Sequence, residues 1–210
     1  MLLAIDTSAG TSVAVVDRDA GVLAEHSSDD TRRHAEVVGS LIRLSLTDAG
    51  VAVTALSGVA IGMGPGPFTG LRVGIAAGRA FAFGAGKPVV PVSSHDAIAF
   101  GQLAETGEPL LVVTDARRRE VYWSAYAGRD SAGLPILEHG PSLVRPDDLA
   151  EAVPGFAGYR RFDAAVVSAA SVGLLAETLY AHKRAFVADE AIYLRQPDAV
   201  VPTGSKRVTQ

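Results

Sequence analysis

The residues from Gly62 to Phe83, GMGPGPFTGLRVGIAAGRAFAF, constrain this chain more than any other stretch. Ahead of them Leu56 to Ile61 reads as a buried strand, and after them Leu71, Ile75 and Ala82 recur with helical period. The order is strand, glycine and proline loop, helix. Within the helix Gly70, Gly74 and Gly78 fall on every fourth position and share one face. An interior glycine costs about 1 kcal/mol relative to alanine. The stripe therefore implies close approach of another backbone, in the same chain or in another one. In the loop, Gly62, Gly64 and Gly66 free the backbone ahead of a helix start whose N–H groups suit an anion. The lysine and Ser/Thr of a P-loop are missing, however. Pro67 occupies the last glycine position of GxGxxG, and Pro65 and Pro67 remove two donors. A tight turn that docks the helix on a sheet competes with a phosphate cradle.

At 210 residues with 48% hydrophobic and 20% charged side chains, the composition is that of a packed globular protein, with room for one core or two small lobes. There is no cysteine, which excludes disulfides and cysteine-ligated zinc or iron–sulfur centres. The N-terminal MLLAIDTS has no basic leader region and no apolar run approaches a membrane span, so no membrane contact is expected and the cytoplasm is the expected compartment. The 19 basic and 23 acidic residues give a net charge of −4, which argues against nucleic-acid binding by overall field.

Leu2 to Asp6, Thr11 to Val16 and Val22 to Ser27 read as a strand meander. A helix is predicted from Arg33 to Asp48, with Val37, Val38, Leu41, Ile42 and Ser45 inward and His34 on or near that face. The central strand and the glycine-stripe helix come next, then a strand at Pro88 to Val92 and a short helix at Ser94 to Leu103. A similar order begins at Leu110 to Thr114 and Glu120 to Ala127. It continues with a weak strand at Ile136 to Glu138, a strand at Ala164 to Ser168 and a helix from Val172 to His182. Glu105 to Pro109 is the polar hinge. Lobes are thus expected at 1–104 and 110–196, with a loose tail at 197–210.

Few residues declare chemistry outright. Asp6, Thr7 and Ser8 end the first strand, where a carboxylate and two hydroxyls could hold a metal-bound nucleotide, with Gly64 and Gly66 of the loop as further candidates; a turn bonded to its own backbone is the equal alternative. None of the 5 histidines forms a close pair, and no metal-ligating set is read. No catalytic triad or nucleophile elbow is discernible. Arg117, Arg118 and Arg119 are the densest positive patch, a candidate for phosphate or RNA contact or simply an exposed hairpin turn.

Five motifs in order resemble the TsaB family, also called YeaZ, the bacterial partner subunit in threonylcarbamoyladenosine modification of tRNA. They are Asp6-Thr7-Ser8; Gly64-Pro65-Gly66-Pro67-Phe68-Thr69-Gly70-Leu71-Arg72, close to GPGSFTGLR; Val92-Ser93-Ser94; Asp115 to Tyr122, close to DARRxEVY; and Tyr193-Leu194-Arg195. Pro67 replaces the usual serine, His95 a common leucine, and Ala191 the proline that opens the last motif. The resemblance implies an α/β chain with the actin-like ATPase (ASKHA, ribonuclease H-like) fold in two lobes of βββαβα type. It implies a non-catalytic subunit that binds and activates the catalytic TsaD together with the ATPase TsaE, meets tRNA only through the complex, and forms a homodimer when TsaD is absent. By the same match Ser94 and Ile98 occupy the positions where TsaD has its two metal-binding histidines, and neither side chain suits a metal. The expected partner interface comprises His34, Val37, Leu41, Gly70, Leu71, Gly74 and Gly78, with ATP or ADP as a ligand at that interface. The competing reading is a stand-alone ATP-dependent kinase or metal-dependent hydrolase of the same fold.

Overall fold

The structure, a computed structural model, describes residues 1–195. The tail expected at 197–210 lies outside the described residues. The first half contains β1 (Leu2–Asp6), β2 (Thr11–Asp17), β3 (Gly21–Ser28), α1 (His34–Asp48), β4 (Gly58–Gly62), α2 (Phe68–Ala85), β5 (Val89–Val92) and α3 (Ser94–Thr106). Its strands form one sheet in the order β3-β2-β1-β4-β5, with β1 antiparallel to β2 and parallel to β4. β1 and β4 are covered on both faces, which is why they read as unbroken apolar runs, whereas edge strand β3 alternates between exposed and half-buried residues.

The second half contains β6 (Leu110–Asp115), β7 (Val121–Arg129), β8 (Pro135–Val144), α4 (Leu149–Ala152), β9 (Arg160–Ala164) and α5 (Ala169–Ala181). Its sheet runs β8-β7-β6-β9. Two strands differ most from those predicted. The last strand pairs Leu110 with Arg160 through Thr114 with Ala164, earlier than the apolar run Ala164 to Ser168. As an edge strand it carries charge at Arg160, Arg161 and Asp163, which hides it from a hydrophobicity pattern. Residues 165–168 instead lead into α5, where the Ser168 hydroxyl caps the helix by accepting from Ser171 N–H at 3.2 Å. The weak strand at 136–138 is part of a ten-residue strand, held by pairing with β7.

The layers interlock. α1 and α2 cover one face of the first sheet, and α5, from the end of the second half, covers the other. α3 in turn packs on α5 and on the second sheet. One apolar cluster therefore joins Leu2, Ala4 and Ala60 to Leu110 and Val112 through Ile98, Leu103, Val172 and Leu175. The outer face of the second sheet has its own smaller cluster around Trp123, Leu149 and Val153. This arrangement brings the ends of β1, β4 and β6 to one side of the molecule, where the sequence motifs meet.

Candidate functional site

Asp6 is 1% exposed, and both its carboxylate oxygens are engaged. Oδ1 accepts from Ser8 N–H at 2.7 Å and from the Ser8 hydroxyl at 2.6 Å, while Oδ2 accepts from the Ser94 hydroxyl at 2.5 Å. Ser94 Oγ also receives Gly64 N–H at 3.0 Å, tying the glycine loop into the same network. Burial pushes the Asp6 carboxyl above its usual range, against the opposing pull of its bonds from Ser8 and Ser94. A Cβ on Gly62 would lie 1.8 Å from Asp6 Oδ2, and one on Gly66 2.7 Å from Ser8 Cβ. These glycines let the loop close over the Asp6-Thr7-Ser8 turn.

Thr7 explains the helix. Its hydroxyl donates to Gly70 O at 2.7 Å and accepts Gly74 N–H at 3.0 Å, standing between a donor and an acceptor that a regular helix pairs directly. A Cβ on Gly70 would fall 2.6 Å from Thr7 O, one on Gly74 2.1 Å from Thr7 Oγ1, and one on Gly78 2.6 Å from Ile61 Cδ1. What the glycine stripe admits belongs to this chain: the Thr7 carbonyl at Gly70, and the Thr7 and Ile61 side chains at Gly74 and Gly78.

This packing bears on two expectations. Gly70, Leu71, Gly74 and Gly78 are buried against the first sheet, and Gly70 also borders a cavity beside His34 and Arg117. On α1, His34 and Leu41 are likewise buried, His34 bonded through Nδ1 to Thr11 Oγ1 at 2.7 Å, and Val37 is half-buried. Desolvation, and then the nearby Arg117 charge, lower the His34 pKa. The outward faces of these helices carry Ala35, Gly39 and Arg43 on α1 and Arg72, Ala76 and Arg79 on α2. The second concerns the nucleotide candidates. Asp6, Thr7 and Ser8 are buried and bonded to one another's surroundings, and Gly64 and Gly66 are buried with them, so the set forms a structural seam between strand, loop and helix.

Ser94 and Ile98, which the resemblance sets at two metal-ligand positions, are both engaged elsewhere. Ser94 is fully buried in the Asp6 network and Ile98 lies in the central core. Among the described residues no group of three or more His, Cys, Asp or Glu side chains could hold a metal ion. His95, one residue on, spans to the second sheet: Nδ1 lies 2.7 Å from Ser124 Oγ and Nε2 2.9 Å from Thr114 Oγ1. Burial lowers its pKa to about 3, so the ring is neutral. His95 and Ser124 are both buried, so this serine–histidine contact joins α3 to β7 and offers no exposed nucleophile.

The arginine patch lies on the hairpin between β6 and β7 and is exposed. Arg117, Arg118 and Arg119 all have positive φ, at 64°, 55° and 61°. Left-handed backbone costs an L-residue roughly 1–2 kcal/mol, so three in a row need external support. Asp115 Oδ1 accepts Arg117 N–H at 2.9 Å, Ala116 N–H donates to Glu120 O at 3.0 Å, and Glu120 N–H donates to Arg117 O at 3.1 Å. Between this hairpin and the start of α2 lies a cavity of about 350 Å³ lined by Phe68, Arg117, Arg118, Tyr122, Tyr193 and Arg195, among others. Arg117 also borders a second cavity of about 480 Å³ with His34, Thr31 and Asp115, and its guanidinium donates to the Thr31 hydroxyl. Phe68, Tyr122, Tyr193 and Arg195 fall inside the recognised motifs, but only the closed geometry shows that they share a wall.

Residues 11–133 match the family model of TsaD, the tRNA N6-adenosine threonylcarbamoyltransferase. An uncharacterized protein of Mycobacterium tuberculosis is 38% identical over 94% of this chain and 93% of its own length. The tRNA threonylcarbamoyladenosine biosynthesis protein TsaB of Escherichia coli is 32% identical over 75% of this chain and 68% of its own length. The chain belongs to the TsaB/YeaZ family. A crystal structure of a Pseudomonas aeruginosa protein described as similar to the peptidase YeaZ superposes with a TM-score of 0.75 at 29% identity, covering 92% of this chain and 99% of that one. Its two sheets with interlocked helices make this TsaB-family chain an actin-like two-lobe α/β protein.

Proposed function

We propose that this chain acts in threonylcarbamoyladenosine biosynthesis on tRNA as a non-catalytic partner subunit that binds and activates TsaD, with TsaE joining the same assembly. The observation that carries this reading is the sealed seam. Where an enzyme of this architecture would need an open carboxylate, Asp6 is saturated by Ser8 and Ser94, and Ser94 and Ile98 are committed to packing. What the first lobe leaves outward is the α1/α2 pair with small residues at Ala35, Gly39 and Ala76, a surface that another helix pair can approach closely. In this reading the outward side of that pair receives TsaD, or a second copy of the chain when TsaD is absent. ATP or ADP belongs to the partner interface and not to the Asp6 seam, and tRNA is met through the assembly, with Arg117 to Arg119 on its side. Among the described residues no helix is long and apolar enough to cross a membrane, and the proposed setting is the cytoplasm.

Gly74→Leu is a poor test, because it would disrupt the chain's own Thr7 contact. Gly39→Arg and Ala76→Arg are better, since a Cβ at Gly39 meets nothing within 4 Å and Ala76 is exposed. Both variants should unfold at the wild-type temperature yet fail to co-elute with TsaD and fail to support tRNA modification in a reconstituted mixture. Intact co-elution and modification would sink the interface reading. Robust ATP turnover by the chain alone with a divalent metal would favour a stand-alone kinase or hydrolase instead.

A further inference from the structure

The segment after α5 leaves the second lobe and runs back across the first. Asp189 accepts from the Arg79 guanidinium of α2 at 2.8 Å. Val187, Ala191 and Ile192 pack on the cluster beneath α1 and α2, and Ile192 N–H donates to Met63 O at 2.7 Å. The Tyr193 ring lies 5.1 Å from that of Phe68, which also carries the Arg72 guanidinium 3.6 Å from its centroid. Anchored in this way on the first lobe, the strap delivers Arg195 to the second. Its guanidinium donates to the Glu120 carboxylate and, at 3.4 Å, to Arg117 O.

Those two acceptors bracket the three left-handed arginines. Arg117 O already closes the turn by accepting Glu120 N–H, so one guanidinium from a distant part of the chain grips both ends of the segment that the local sequence disfavours. A charge-assisted donor suits this task, because a single guanidinium nitrogen, Nη2, faces both the carboxylate and the carbonyl. We propose that Arg195 is a positioning residue: it latches the C-terminal strap to the β6–β7 hairpin and holds Arg117, Arg118 and Arg119 in their left-handed turn. The basic surface of the second lobe is then set by the first lobe, through the strap, and not by the hairpin alone.

Trypsin reads this directly, since it cuts after arginine and binds its substrate extended, so the left-handed turn must open before cleavage. The full chain is digested under native conditions, and peptide ends at Arg117, Arg118 and Arg119 are followed by mass spectrometry against cleavage after Arg43 on α1. Arg195→Met should raise hairpin cleavage by roughly tenfold or more, because proteolysis tracks the opened population, while cleavage after Arg43 stays at the wild-type rate. Arg195→Lys, which keeps the charge on a shorter side chain without the planar guanidinium, should fall between the two. Glu120→Gln weakens the latch from the hairpin side without touching the strap, and it should show the same selective increase even if Arg195→Met folds poorly. Wild-type hairpin cleavage in both Arg195→Met and Glu120→Gln would overturn the latch, as would an equal rise at Arg43 in both.

Discussion

β1 and β6 hold matching places in the two sheets, each antiparallel to the next strand and parallel to a later one, and each ends in an aspartate. Asp6 is 1% exposed and takes three hydrogen bonds from Ser8 and Ser94. Asp115 is 64% exposed, accepts Arg117 N–H and lies 3.3 Å from the Arg117 guanidinium. The residues just after each carboxylate make the difference. After β1 comes a turn of small hydroxyl residues that a glycine loop can cover; after β6 come three arginines, whose charge keeps the turn in water. One topological position therefore becomes a buried joint in the first lobe and a basic, solvated surface in the second, and the side chains that close over it decide which.

The comparison breaks most sharply at Gly62. An added Cβ there would lie 1.8 Å from Asp6 Oδ2 and 2.8 Å from Ser94 Oγ, and both atoms are held by short bonds that leave them nowhere to go. Gly62→Ala should cost about 3 kcal/mol or more. For a chain of this length that lowers the unfolding temperature by roughly 6 to 12 °C. Calorimetry checks it, and a loss below about 1 kcal/mol would mean that the seam is far looser than its distances indicate.

Much of this was legible beforehand. The alternation of strands and helices and the family motifs are local patterns, and the first sheet with its helices follows them closely. The charged edge strand β9 and the long β8 escaped because their pairing partners, not their hydrophobicity, define them. The glycine stripe was legible as close approach, but its direction was not. A period of four says that one face is bare, and only the tertiary structure says that Thr7 and Ile61 fill it. The latch was illegible for a different reason. Tyr193-Leu194-Arg195 stands out as a motif, yet nothing local links Arg195 to Glu120, some 75 residues earlier.

A smaller effect should appear at the buried carboxylate itself. Desolvation raises the Asp6 pKa above its ordinary 3.8, so the folded protein holds this proton more tightly than the unfolded chain does. The stability linked to the group is fully present below pH 3.8 and is lost as the pH rises through the raised folded value. Asp6→Asn does not ionise and escapes that loss. Its cost should be about 1–2 kcal/mol in acid and should shrink toward neutral pH. Urea unfolding of both proteins across this range gives the difference, and a cost that grew with pH would show that the bonds from Ser8 and Ser94 outweigh burial.

The smallest effect belongs to the exposed counterpart. Asp115→Asn removes the charge facing Arg117 but keeps an oxygen to accept Arg117 N–H, so the turn retains its backbone tie. An ion pair this exposed is worth little, and the expected loss is about 0.5 kcal/mol or less, small enough that the unfolding temperature moves by no more than roughly 2 °C. Salt should erase even that, because the remaining interaction between these side chains is screened. A loss as large as that of Asp6→Asn in acid, or one that persisted in high salt, would mean that the hairpin is braced through Asp115 as firmly as the seam is through Asp6. The contrast between the two strand ends would then rest on exposure alone and not on how each carboxylate is used.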